Sequence, residues 1–177
     1  MEHRFAHFIT TGCFFTGGLI LLTGFAVFTV ALRETGEQFF SGLGLMGFIV
    51  STVLWIIHLT YRFTIPVHAA DELAATGTVP PYFQALREWA GLMFGVYIFM
   101  AYLSIASYGA ALLKTNFLSK GFARTCIVTG FIFAFMNAAM IPGFDMPLEV
   151  PIVPYLIGVL LLITPQASVA TTAETIQ

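Results

Sequence analysis

The sequence predicts an all-α integral membrane protein, a bundle of five transmembrane helices. Three observations predict it. Of 177 residues, 58% are hydrophobic and only 9% charged, against about 25% charged in a soluble domain. The apolar residues come in blocks long enough to cross about 30 Å of hydrocarbon, which takes roughly 20 helical residues. Charges lie between the blocks, as expected when each intramembrane charge costs roughly 2.5–3.5 kcal/mol on insertion scales. A net charge of −2 without a basic run excludes a nucleic-acid binder.

No charge interrupts Phe5 to Leu32, Gln38 to Tyr61, Trp89 to Leu113, or Thr125 to Phe144. The first block is too long for a signal-peptide core and no small-residue cleavage site follows it, so it reads as a retained anchor. A fifth segment, Val150 to Ile163, opens on Pro151 and Pro154 and is stopped by Pro165. It crosses fully only if counted from Pro151 to about Ser168. Four spans plus a re-entrant or interfacial helix is the alternative. The bundle then occupies residues 1–166, and 167–177 form a flexible polar tail.

Antiparallel spans sort the loops onto two sides. One holds the N-terminus, the loop from Arg62 to Glu88 and the turn from Asp145 to Glu149, with Arg4, Arg62 and Arg87 as its basic residues. The other holds Arg33, Lys114, Lys120 and Arg124. The positive-inside rule places the second side in the cytoplasm, giving an outside N-terminus and an inside C-terminus in a prokaryotic cytoplasmic membrane. In the long loop, Pro66 is expected to break the second helix. A short helix over His68 to Ala75 would end at Gly77, and Pro80-Pro81 would start the next. Tyr61, Tyr82, Trp89 and Tyr155 would form an aromatic belt at this end.

Small residues recur at helix-packing spacing: Gly91 and Gly95 in span three, continued by Ser104, Ser107 and Ala111; Gly47 and Ser51 in span two; Gly17 and Gly24 in span one. Span three is therefore expected at the centre, with Gly91 and Gly95 against another helix. Asn137 is expected to bond a neighbouring helix. Cys13 and Cys126 fall in opposite halves of the membrane, too far apart for a disulfide.

All four histidines fall on the side of the N-terminus. His3 and His7 are four apart, a spacing that puts both rings on one helix face and can chelate a metal. His58 lies one turn from the end of span two, at a depth expected to match His7, and His68 follows in the loop. The pair His7 and His58 are the candidate cofactor ligands, for a haem held between neighbouring spans. His3, His7, His58 and His68 are the candidate ligands of a divalent metal, with Met93, Met136 and Met140 as soft donors. The ordinary reading of these histidines is interface polarity. Trp55, His58 and Arg62 share one helix face, fit for a stop-transfer end or for an anionic headgroup or quinone.

The stretch Glu88-Trp89-Ala90-Gly91, then Tyr102 to Tyr108-Gly109-Ala110-Ala111-Leu112-Leu113-Lys114, then Phe117-Leu118 resembles small prokaryotic polytopic membrane families known only as domains of unknown function. The segment Pro154-Tyr155-Leu156-Ile157-Gly158 is similar to them as well. The resemblance implies a compact helical bundle and carries over no functional residue.

No catalytic motif is present: neither G-x-x-x-x-G-K-[ST], nor H-E-x-x-H, nor G-x-S-x-G. No carboxylate or lysine lies inside the four charge-free blocks for a proton relay or a Schiff base. The expectations are an accessory or scaffolding subunit of a membrane complex, with lipids and partner subunits or a second copy as its contacts; a haem- or metal-binding redox protein; or a facilitator for a small neutral or lipid-like molecule. Tyr97, Tyr102, Ser104, Ser107 and Asn137 at mid-membrane depth would serve the last.

Overall fold

The computed structural model describes residues 2–139, and their side chains apart from those of residues 2–8 and 11. The expected fifth span, the Asp145–Glu149 turn, Met140, Tyr155 and the polar tail lie outside the described residues. Within them the chain forms four helices and no strand: α1 (Glu2–Glu34), α2 (Phe39–Thr76), α3 (Pro81–Thr115) and α4 (Lys120–Ala138). All four are long and apolar enough to cross a membrane.

The turns between helices use local chemistry. After α1 the chain turns through Gly36, whose φ of 89° a side chain would disfavour. Glu37 then folds its carboxylate over the start of α2 and accepts from the backbone N–H of Phe40 and of Ser41, each at 2.8 Å. Two of the donors that a helix start leaves unpaired are thereby satisfied. Burial alone raises the Glu37 pKa; those two bonds, the Ser41 side chain and the charge of Lys114 outweigh it, and the pKa lies below the ordinary carboxylate value. Gly77, left-handed at φ 72°, closes α2, and Pro81 opens α3 at its first position. Asn116 closes α3 in the left-handed region, and Ser119 caps α4 by accepting from Phe122 N–H.

One expectation is corrected. Pro66 lies inside α2, which runs unbroken past it to Thr76. An interior proline costs about 3 kcal/mol by removing one hydrogen bond and crowding a carbonyl. The helical bond it removes is the one to Arg62, an exposed residue. The following His-Ala-Ala-Asp-Glu-Leu-Ala-Ala is rich in good helix formers. With 38 residues α2 is about 57 Å long, and with 35 residues α3 is about 52 Å. Both are longer than the roughly 30 Å that a span requires.

Helix α3 is central and the most buried, packed between α2 and α4, while α1 lies mainly against α2. Two apolar cores stack along it. At the hairpin end Trp55 and Leu59 meet Tyr97, Ile98, Tyr102 and Ile105, with Cys126 and Ala134 from α4. At the opposite end Phe25 and Leu32 meet Phe48, Tyr108, Leu112 and Ala123. Large apolar side chains such as Ile20, Val27, Met46 and Phe135 face outward, as lipid-facing residues do.

The small-residue seams form, though not all where expected. Gly47 faces α3, where a Cβ would meet Ser104 Oγ at 2.5 Å, and Ser51 Oγ donates to the Tyr97 carbonyl. Gly91, by contrast, is exposed and a Cβ there would touch nothing within 4 Å. The tight α3–α4 approach lies further along, at Gly109 and Gly130. A Cβ on Gly130 would meet the Tyr102 carbonyl oxygen at 2.7 Å, and one on Gly109 the Ala123 carbonyl oxygen at 2.8 Å. The expected face is therefore displaced from Gly91. Gly95 does meet α4, its carbonyl accepting from Asn137 Nδ2 at 2.6 Å, as expected of that amide. Both cysteines are free; Cys13 is exposed and Cys126 buried.

Candidate functional site

Polar side chains buried within the bundle are mostly committed to backbone. Thr29, Thr52, Ser104 and Ser107 donate to carbonyls four residues earlier in their own helices. Ser51 donates across to α3. Tyr108 passes over Gly44, where a Cβ would approach its ring to 2.9 Å, and its hydroxyl meets Thr29 Oγ1 on α1 at 2.6 Å. These bonds fasten helices together. A groove of about 160 Å³ between α2 and α3, lined by Leu43, Met46, Val50 and Met100 beside Ser104 and Ser107, is almost wholly apolar. Its two hydroxyls turn back to their own helix, so it offers no polar path.

The hairpin end differs. There α2 presents Trp55 and His58 on one face, three residues apart and hence neighbours on a helix. Their rings stack at 5.8 Å with 13° between planes. Tyr97 stacks on Trp55 at 4.9 Å, Phe94 lies 4.9 Å from His58, and Phe14 of α1 meets Trp55 edge-on. His58 Nδ1 lies 3.1 Å from the Ala90 carbonyl oxygen of α3. A carbonyl only accepts, so Nδ1 carries the proton and Nε2 keeps its lone pair. Nε2 is then the acceptor of the ring.

Trp55 is 7% exposed, and its Nε1 is the one buried side-chain nitrogen or oxygen without a partner among the described residues. It faces α1 at Gly18, where a Cβ would lie 3.8 Å away. A buried donor left unpaired costs about 1–3 kcal/mol. The sequence marked Trp55 and His58 as face-sharing; it gave no sign that one would lack a partner.

The described backbone does not bring His7 level with His58. Gly18 against Trp55 sets the register of antiparallel α1 and α2. His7 lies eleven residues before Gly18, about 16 Å of helix, whereas His58 lies three residues beyond Trp55, about 4.5 Å. The backbones carrying His7 and His58 thus differ in level by about 12 Å, and the expected common depth is not found. His3 is a further turn away, and exposed His68 is about 15 Å beyond His58 on α2. The side chains of His3 and His7 lie outside the described residues. Among the described residues, no three histidine, cysteine, aspartate or glutamate side chains group as a metal site.

The α2–α3 hairpin carries Asp71, Glu72, Gln84, Arg87 and Glu88. Tyr82 donates to Glu72 Oε2 at 3.0 Å, tying its two arms together, and Gln84 donates to Glu88. Trp89 and Tyr82 are both exposed, Tyr82 beside the turn and Trp89 about 10 Å further along α3.

No family model, curated protein or solved structure matches this chain. Its functional reading rests on its own geometry.

Proposed function

We propose that this chain is an accessory or scaffolding subunit of a membrane complex, anchored by its helices in a prokaryotic cytoplasmic membrane. The fifth segment completes the bundle, the N-terminus and hairpin face outward, and the C-terminus faces inward. The observation that carries this reading is the α2–α3 hairpin. Two helices of about 57 and 52 Å, crossing about 30 Å of hydrocarbon, present a tied, polar arm to the aqueous phase. Rigid helical arms suit contact with another protein, because little conformational entropy is lost on docking. The bundle's interior supports the same reading, since its buried hydroxyls serve helix packing.

The test is native mass spectrometry of the tagged protein released from its own membranes in mild detergent. One membrane partner at a fixed ratio is expected, lost when residues 67–84 are replaced by a short Gly/Ser turn. A lone monomer in several detergents, or a complex indifferent to that replacement, contradicts the proposal.

A further inference from the structure

We propose that Trp55 and His58 form a binding site for a neutral, ring-bearing, membrane-dissolved molecule of the quinone class. Trp55 turns its Nε1 edge towards α1 at Gly18, and His58 lies against α3 at Ala90.

Three features of the geometry carry it. Trp55 Nε1–H is a buried donor with no partner, facing α1 at Gly18. His58 has its Nδ1–H engaged by Ala90, which leaves Nε2 as an acceptor. One donor and one acceptor therefore stand one helical turn apart, in an environment where an unmet polar group is costly. Around them Trp55, His58, Phe94 and Tyr97 pack on one another, with Phe14 edge-on to Trp55, an aromatic cluster of the kind a planar ring can join.

The polar pair selects the head group. A ring carbonyl accepts from Trp55, and a ring hydroxyl, or a water held by the second carbonyl, donates to His58. Both protein groups are neutral in this tautomer, so a neutral head is matched. The tail remains in the lipid that covers the outer faces of α1 and α2. Access requires α1 to yield slightly. It lies mainly against α2 and packs little on α3, and Gly18 leaves the space of a missing side chain beside Trp55 Nε1.

The chain has two tryptophans, so Trp89→Phe leaves Trp55 as the sole indole. In phosphatidylcholine nanodiscs this protein is titrated with decylubiquinone while tryptophan emission is recorded. Saturable quenching of Trp55 is expected, against weak linear quenching in Trp55→Phe, where only Trp89 remains. His58→Asn places an amide donor near the Nδ1 position but removes the Nε2 acceptor, and should weaken binding about tenfold, one hydrogen bond's worth. His58→Gln restores a polar group near Nε2 and should stay within about threefold of the parent. A purely structural histidine, needed only for Ala90, gives the reverse order. Gly18→Ala adds a Cβ 3.5 Å from Trp55 Cδ1, ordinary contact that leaves the fold intact. It narrows the approach to Nε1 and should also weaken binding about tenfold, which keeps the test open should a histidine variant misfold. Linear quenching alike for both tryptophans, or undiminished binding by folded His58→Asn and by Gly18→Ala, overturns the proposal.

Discussion

Replacing Gly130 by alanine places one methyl group in the tightest part of the α3–α4 seam. Its Cβ would stand 2.7 Å from the Tyr102 carbonyl oxygen and 2.8 Å from Ala106 Cβ and N. Two of those three atoms are backbone and cannot rotate aside. Regaining ordinary contact means moving α4 outward by roughly 0.7 Å, and a gap of that size forfeits a quarter to a half of the dispersion attraction of each contact along the seam. Overpacking of this kind costs about 1–3 kcal/mol, offset in part by the roughly 1 kcal/mol by which alanine outperforms glycine inside a helix. A net loss of up to about 2 kcal/mol is expected. Gly91→Ala supplies the comparison: the new Cβ meets nothing within 4 Å, so only the propensity gain remains. Denaturant unfolding of the full-length protein in mixed micelles, followed by far-UV circular dichroism, measures both. Gly130→Ala at or above wild-type stability, or Gly91→Ala losing as much as Gly130→Ala, would refute the assignment of the seam.

Other outcomes follow from the same geometry. Tyr108→Phe removes the hydroxyl joining Thr29 and should cost about 0.5–1.5 kcal/mol in the same unfolding assay, and Thr29→Val combined with it should add little further. Glu37 holds its charge below its ordinary pKa through two backbone donors. The stability it contributes is therefore present above the unfolded-state carboxylate pKa and is lost as pH falls through the lower folded value. Glu37→Gln should flatten the melting-temperature profile on the acidic side, and an unchanged profile would remove Glu37 from that role. Because His7 and His58 differ in level by about 12 Å, titrated haem should show no bis-histidine spectrum that disappears in His58→Ala; its appearance would contradict the register of α1 on α2.

Much of this was legible in the sequence because membrane charge is expensive. The gaps between Arg33 and Glu37, Arg62 and Glu88, and Lys114 and Arg124 delimit the spans that appear as α1 to α4. Gly77 and Pro81 announced the hairpin turn because only certain residues suit a left-handed closure or a first helical position. Asn137 was legible for a similar reason, since an amide in hydrocarbon must find a carbonyl. Rotation was not legible. These helices are apolar on nearly every side, so periodicity cannot say whether Gly91 or Gly109 faces α4. Pro66 misled because local propensity favours a break, whereas the helix formers from His68 to Ala75 carry the helix on. The candidate site was legible only as a face. Trp55 and His58 share it by spacing, but an unpartnered indole depends on what α1 places opposite, and that is a property of packing.

The central claim, a membrane bundle whose α2–α3 hairpin stands outside the bilayer on the N-terminal side, is tested most directly by thiol accessibility. Single cysteines are placed at Ala75, Ile57 and Lys120 in a background lacking Cys13 and Cys126, and intact cells are treated with a membrane-impermeant maleimide. The account predicts labelling at position 75 in intact cells, at 120 only after permeabilisation, and none at 57 under either condition. Labelling of 75 and 120 from the same side, or ready labelling of 57, would contradict it.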